Sequence, residues 1–273
     1  MPTDQPTDRM EDSAREVRPS GTADRLPLAS TEDPGLSRDG LRYRIFYRLL
    51  RILIGPVLRF LGRPRVYGLH NIPPQGGAIL ASNHLSFLDS PFLALVLRRR
   101  VTFLAKSEYF TTPGLRGSVK RAFFTASGQI SIDRNNERRA SEGIRQAIGL
   151  LRQGELVGIY PEGTRSPDGR LYRGKTGVAR VAATAPAPVI PVAMIDTSHV
   201  LPPGRRLPRR GRVEVRIGPP LDLGTRGGDP MDMREYRART DEIMKAIGAL
   251  SDQIYVDLYA QQVKAKLGLA KRR

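Results

Sequence analysis

The chain's 273 residues suffice for one large α/β domain or two small ones, and 40% hydrophobic with 26% charged residues excludes disorder throughout, as well as collagen-like and coiled-coil architectures. With no cysteine it can have no disulfide framework, no thiolate metal site and no cysteine nucleophile, and a reducing compartment is expected. The 45 basic residues outnumber 27 acidic ones to give a net charge of +18, which points to a polyanionic partner: nucleic acid, an anionic membrane or phosphorylated small molecules.

Residues 1–40 hold nine acidic and five basic residues and few large apolar side chains, so they read as a disordered tail that cannot bury enough surface to offset its ordering entropy. No apolar segment follows the first methionine, and no uninterrupted apolar run of about 18 residues occurs, so neither a secretory signal nor an ordinary transmembrane helix is expected. Residues 41–63 differ in character. In LRYRIFYRLLRILIGPVLRFL apolar residues recur at helical spacing, while Arg44, Arg48, Arg51 and Arg59 fall on one narrow face and no acidic residue is present. This predicts a basic amphipathic helix lying in a membrane interface and kinked at Gly55-Pro56. A helix docked on the core with solvated arginines is the alternative.

Residues 64–225 alternate short apolar runs with helical patterns, which predicts an α/β fold: one domain with a central, mostly parallel sheet flanked by helices. The candidate strands are 77–82, 101–105, 128–132, 155–160, 188–195 and 212–217. Residues 137–152 place Ala140, Ile144, Ala147, Ile148 and Leu151 on one helical face, and Asp89-Ser90-Pro91 reads as a helix start with a capping side chain. Residues 226–273 read as a C-terminal helical region with a basic tail, in which Ile243, Met244, Ile247, Leu250 and Ile254 form the apolar stripe of a helical stretch over 231–264.

Two polar clusters follow predicted strands: Ser82-Asn83-His84, and Tyr160-Pro161-Glu162-Gly163-Thr164-Arg165. If both strands are parallel, both loops emerge at the carboxyl edge of the sheet, where open α/β folds bind ligands. A histidine acts as a general base near neutral pH when a carboxylate holds its ring in one tautomer, and His84 and Asp89 can be such a pair. Five residues on a continuous helix lie about 140° apart, so their contact requires a loop or a helix start between them. Glu162, Gly163, Thr164 and Arg165 combine a glycine that admits close backbone approach, a hydroxyl, and a guanidinium suited to bidentate phosphate binding. Histidine occurs only at positions 70, 84 and 199, which disfavours a multi-histidine metal site, and none is expected.

These blocks resemble the glycerolipid acyltransferases of the 1-acylglycerol-3-phosphate acyltransferase type. NHLSFLD at 83–89 is similar to that family's NHx4D motif, GQISIDR at 128–134 to its second motif, YPEGTRS at 160–166 to its third, and VIPVA at 189–193 to its fourth; Tyr160 stands where phenylalanine is more frequent. The resemblance covers roughly residues 65–220. It implies transfer of a fatty acyl chain from acyl-CoA or acyl carrier protein, used as substrate with no further cofactor, to lysophosphatidic acid. His84 would deprotonate the acceptor hydroxyl and Asp89 would orient His84, with no covalent enzyme intermediate. The same likeness assigns Arg165, with Glu162, Gly163 and Thr164 in its loop, to the acceptor phosphate region, and by weaker analogy Lys106, in FLAKSEYF, and Arg134. Backbone N–H groups near Gly163 are expected to stabilise the thioester oxyanion. An anionic membrane surface on the cytoplasmic side is the expected location.

Three other readings bear on these residues. Nucleic-acid binding lacks a recognisable signature, and the densest arginine stretch is interleaved with Leu and Ile, as suits a lipid interface. A hydrolase using Ser82 or Ser86 as nucleophile lacks the G-x-S-x-G turn. Within the resemblance, another lysophospholipid or a glycolipid acceptor would use the same His-Asp pair with a changed headgroup pocket.

Overall fold

The computed structural model describes residues 41–106, 114, 117–118, 129–132, 137–185, 187–205, 207–221, 223 and 231–269. The expected tail at 1–40, Arg134 and the last four residues lie outside them. A long helix α1 (Leu41–Gly62) leads into β1 (Arg65–Tyr67), a short 3-10 turn, β2 (Ala78–Ser82), α2 (Asp89–Val96), β3 (Val101–Lys106) and β4 (Ile130–Ile132). Next come α3 (Glu137–Arg152), β5 (Leu156–Ile159), β6 (Leu171–Tyr172), α4 (Gly177–Thr184), β7 (Val189–Ile195), α5 (Thr197–Val200) and β8 (Glu214–Ile217). The chain then forms α6 (Met233–Ser251), β9 (Tyr255–Val256) and α7 (Ala260–Lys266).

Seven strands form one sheet in the order β1-β8-β7-β2-β5-β3-β4, parallel throughout except for the β7–β8 pair. Two-residue strands β6 and β9 pair separately. The central strands are apolar on both faces, as strands covered by helices on each side must be. Alternate residues of β2 and β5 divide between two cores. Ile79, Ala81, Val157 and Ile159 pack with Ala147, Ile148 and Leu151 of α3, Val178, Val181 and Ala182 of α4, and Ile243, Met244 and Ile247 of α6. Ala78, Leu80 and Leu156 face the other way, against Phe92 and Leu93 of α2 and Leu58 of α1. The expected mostly parallel sheet flanked by helices is therefore present, and α6 belongs to the same core.

Three local expectations are corrected. The C-terminal stretch is two helices: Asp252 adopts a left-handed φ of 56° that ends α6, and Ile254, beyond it, is 72% exposed. At α2 the helix begins where expected, but no side chain caps it; Asp89 turns its carboxylate back onto the preceding loop. Along α1, which continues through Pro56, Arg51 turns towards the core while Arg48 and Arg59 stay exposed. Arg51 lies at helical spacing from buried Gly55, Leu58 and Gly62, and its guanidinium donates to the carbonyls of Leu95 and Leu97, both at 3.0 Å, at the end of α2. Leu49, Ile52, Leu53, Val57 and Phe60 are left exposed.

Gly158 on β5 shows how packing reaches the polar edge. A Cβ there would stand 2.4 Å from the ring of Phe103 on β3, so only glycine lets that ring lie flat across the strand. Gly158→Ala is expected to lower stability by about 1–3 kcal/mol through overpacking, and adding Phe103→Leu should restore part of it. Chemical denaturation of the single and double variants tests this; equal stability of wild type and Gly158→Ala would contradict the contact.

Candidate active site

Because β2 is parallel to both β5 and β7 and sits between them, the loops after all three leave the same carboxyl edge side by side. Asn83 extends the β2–β7 pairing with its side chain: Nδ2 donates to the Met194 carbonyl at 2.9 Å, and Oδ1 accepts from the Met194 N–H at 2.7 Å. Its Nδ2 also donates to Gln253 Oε1 at 2.7 Å, tying this corner to the segment before β9.

The following loop folds His84 onto Asp89. The imidazole Nδ1 lies 2.8 Å from Asp89 Oδ2, and that oxygen also accepts the N–H groups of Leu85 at 2.7 Å and Ser86 at 2.9 Å. The other oxygen accepts from the hydroxyl of Thr197 on α5. Asp89 is fully buried, so these donors replace the water it has lost. With Oδ2 occupied as an acceptor, Nδ1 is the donor, and that assignment, inferred from the network, makes Nε2 the unprotonated nitrogen of the neutral ring. The helix start between the two residues supplies the turn that a continuous helix denies them.

His84 is 17% exposed at its side chain, and its ring stacks on Tyr160 at 4.0 Å between centroids and 13° between planes. Tyr160 in turn lies parallel to Phe103 at 5.7 Å, and its hydroxyl is 2.7 Å from Ser90 Oγ. The buried hydroxyls of Ser82 and Ser86 donate to the carbonyls of Asn83 and Leu201. Neither is directed at His84, which leaves the serine-nucleophile reading without its geometry.

Glu162 joins the two loops. One carboxyl oxygen accepts the His84 N–H at 2.8 Å and the other the Tyr172 N–H at 3.0 Å, while the Ser166 N–H donates to the His84 carbonyl at 2.7 Å. Burial drives its pKa from the ordinary 4.5 to about 8, against the opposing effect of these N–H donors. Gly163 takes a left-handed φ of 74°, and its N–H donates to the Tyr160 carbonyl at 3.0 Å. That N–H closes the turn. Thr164 and Arg165 follow, both half-buried, and Thr164 Oγ1 accepts from Lys264 of α7 at 3.0 Å. Lys106 ends β3, its backbone in register with Ile132.

Sequence reasoning did not find Thr197, Ser90, Gln253 or Lys264 at this site. Each meets its partner across 70 to 170 residues, and none carries a local pattern.

A family model described as Acyltransferase matches residues 63–195. The 1-acyl-sn-glycerol-3-phosphate acyltransferase of Bacillus subtilis is 30% identical over 177 residues, covering 64% of this chain and 82% of the relative. The alpha form from Bos taurus is 32% identical over 202 residues, covering 73% and 68%. A chloroplastic relative from Arabidopsis thaliana is 32% identical over 158 residues, and the match spans 57% of this chain but only 43% of that longer protein. Among solved structures, the 1-acyl-sn-glycerophosphate (LPA) acyltransferase of Thermotoga maritima superposes with a TM-score of 0.55 at 26% identity, covering 76% of this chain and 79% of that one.

The raised pKa of Glu162 has a testable sign. Between its ordinary 4.5 and about 8 the folded chain keeps a proton that the unfolded chain has lost, so this contribution to stability is full below about 4.5 and falls as pH rises towards 8. Thermal unfolding should show a lower midpoint at pH 8 than at pH 5. Glu162→Gln should lower the midpoint at pH 5, because its NH2 cannot accept the second backbone N–H, and should flatten the slope. An unchanged slope in the variant would place the titration elsewhere.

Proposed function

The chain belongs to the acyltransferase family, and from this premise we propose that it transfers a fatty acyl group from acyl-CoA or acyl carrier protein to the free hydroxyl of 1-acylglycerol 3-phosphate, giving phosphatidic acid. The observation that carries the proposal is the His84–Asp89 pair, held in one tautomer at the carboxyl edge of the sheet.

In this mechanism His84 Nε2 takes the acceptor's hydroxyl proton as its oxygen attacks the thioester carbonyl carbon. Asp89 stabilises the imidazolium that forms. The tetrahedral intermediate then collapses, the C–S bond breaks, and the leaving thiolate recovers the proton from His84, so the enzyme ends as it began. Stacking on Tyr160 fixes the ring plane, and the hydrogen bonds of Glu162 fix the backbone beneath it. Arg165, with the Thr164 hydroxyl, holds the acceptor phosphate, a group unchanged by the reaction; Lys106 and Arg134 are assigned to the same region by resemblance.

A lipid acceptor and a lipid product call for a membrane surface. Among the described residues no helix is long and apolar enough to cross one. In our reading the outward row of Leu49, Ile52, Leu53, Val57 and Phe60 on α1 enters the interface of the cytoplasmic leaflet, with exposed Arg48 and Arg59 beside anionic headgroups.

Purified protein, a panel of lysolipid acceptors and mass spectrometry of the products test the function. Phosphatidic acid should form from lysophosphatidic acid; exclusive use of another lysolipid or of a glycolipid would overturn the acceptor assignment. His84→Ala should lower turnover by about 10²–10⁴-fold. Asp89→Asn should be severely impaired, with the double variant far less damaged than the product of the two losses. Near-normal turnover by His84→Ala would remove the mechanism. For location, converting Leu49, Leu53 and Phe60 to Asp should release the protein from anionic vesicles in a flotation assay. Undiminished binding would put the docking surface elsewhere.

A further inference from the structure

The C-terminal helix α7 lies beyond residues 63–195, yet it reaches the motif loop. Its half-buried Lys264 donates to Thr164 Oγ1 at 3.0 Å, beside Arg165. Burial and, next, the neighbouring Arg165 charge bring Lys264 down from its ordinary range to about 8, while Glu162 acts in the opposite direction. A third cation lines the same turn: a Cβ on Gly163 would meet the Lys175 Cδ and Cε atoms at 3.2 Å, and the Lys175 N–H donates to the Pro161 carbonyl at 2.8 Å. The carboxyl group nearest them, Glu162, has both oxygens on backbone N–H groups. Among the described residues, neither Arg165 nor Lys264 forms an ion pair with an acidic side chain. Like charges gathered in a partly desolvated place repel unless an anion joins them.

We propose that Lys264 is an acceptor-binding residue: together with Arg165 and the Thr164 hydroxyl it binds the phosphate monoester of the lysolipid, so that α7 completes a pocket begun by the loop after β5. The inference rests on the acyl-acceptor reading above and extends it to a side chain that the motifs do not contain. The pair of cations suits a dianionic monoester better than a phosphodiester headgroup, which carries a single charge, and so acts in acceptor choice. Thr164 is oriented by Lys264 at rest and shares the ligand when it arrives.

Steady-state kinetics of the full chain, with lysophosphatidic acid or monoacylglycerol as acceptor, test the assignment. Lys264→Gln should raise the KM for lysophosphatidic acid about tenfold, the lower end for a charge-assisted contact at a half-exposed site, and leave the donor KM unchanged. Lys264→Arg should recover most of the loss. With monoacylglycerol the Gln variant should match wild type. Lys266→Gln, an exposed change on the same helix, should keep the wild-type KM. Thermal midpoints show whether the variants fold. An unchanged KM for lysophosphatidic acid, a rise confined to the donor KM, or an equal fall in turnover on both acceptors would each overturn the role of Lys264. If Arg165→Ala raises the acceptor KM while Lys264→Gln does not, the acceptor reading survives and this inference alone fails. Failure of wild type to acylate lysophosphatidic acid would sink both.

Discussion

A carboxylate buried from solvent must be surrounded by donors, and the site is arranged about that requirement at Asp89. Two backbone N–H groups, the His84 ring and the Thr197 hydroxyl converge on it from the loop after β2 and from α5. The loop after β2 cannot open without stranding the carboxylate, and α5 cannot shift without removing one of its donors. The same bonds decide which histidine nitrogen is left to accept a proton. A structural need and a chemical one are met by one set of contacts, so the parts that stabilise the fold here also preorganise the base.

The second constraint is on the ring itself. Gly158 lets Phe103 lie across β5, Phe103 lies parallel to Tyr160, and Tyr160 stacks on His84. The packed interior of a parallel sheet is thereby continued into a polar edge, and the imidazole inherits the rigidity of the core beneath it. Glu162 completes the assembly from below, because its two oxygens bind the backbones of His84 and Tyr172. Two segments distant in sequence are held as one unit. Gln253 adds a third strap through Asn83 and the Gly169 carbonyl.

What the sequence makes visible follows the range of the interactions. The six strands that carry the core are read from apolar runs, and α3 from its 3.6-residue period, because burial writes a local pattern into each. β6 and β9 have two residues each, too few for any period to register, and β1 is an edge strand with no buried residue to mark it. His84 and Asp89 are legible as residue types, and the EGTR loop as turn chemistry; Thr197, Ser90 and Lys264 are not, since their meaning lies in partners far along the chain. On α1 the arginines read as one basic face lying in a membrane interface. The carbonyls at the end of α2 draw Arg51 inward, Arg48 and Arg59 stay exposed, and Leu49, Ile52, Leu53, Val57 and Phe60 are turned out. Ile254 continues the helical spacing of α6, but Asp252 ends that helix first.

The claim on which everything else rests is that Asp89 fixes a single tautomer of His84. Long-range 1H–15N correlation spectra of protein labelled at its three histidines would read it directly, with His84 assigned by its loss in a His84→Gln variant. In its neutral form, His84 should show a protonated-type Nδ1 and an unprotonated Nε2, coupled as expected for the Nδ1–H form. A dominant Nε2–H tautomer, or rapid averaging between the two, would contradict the account.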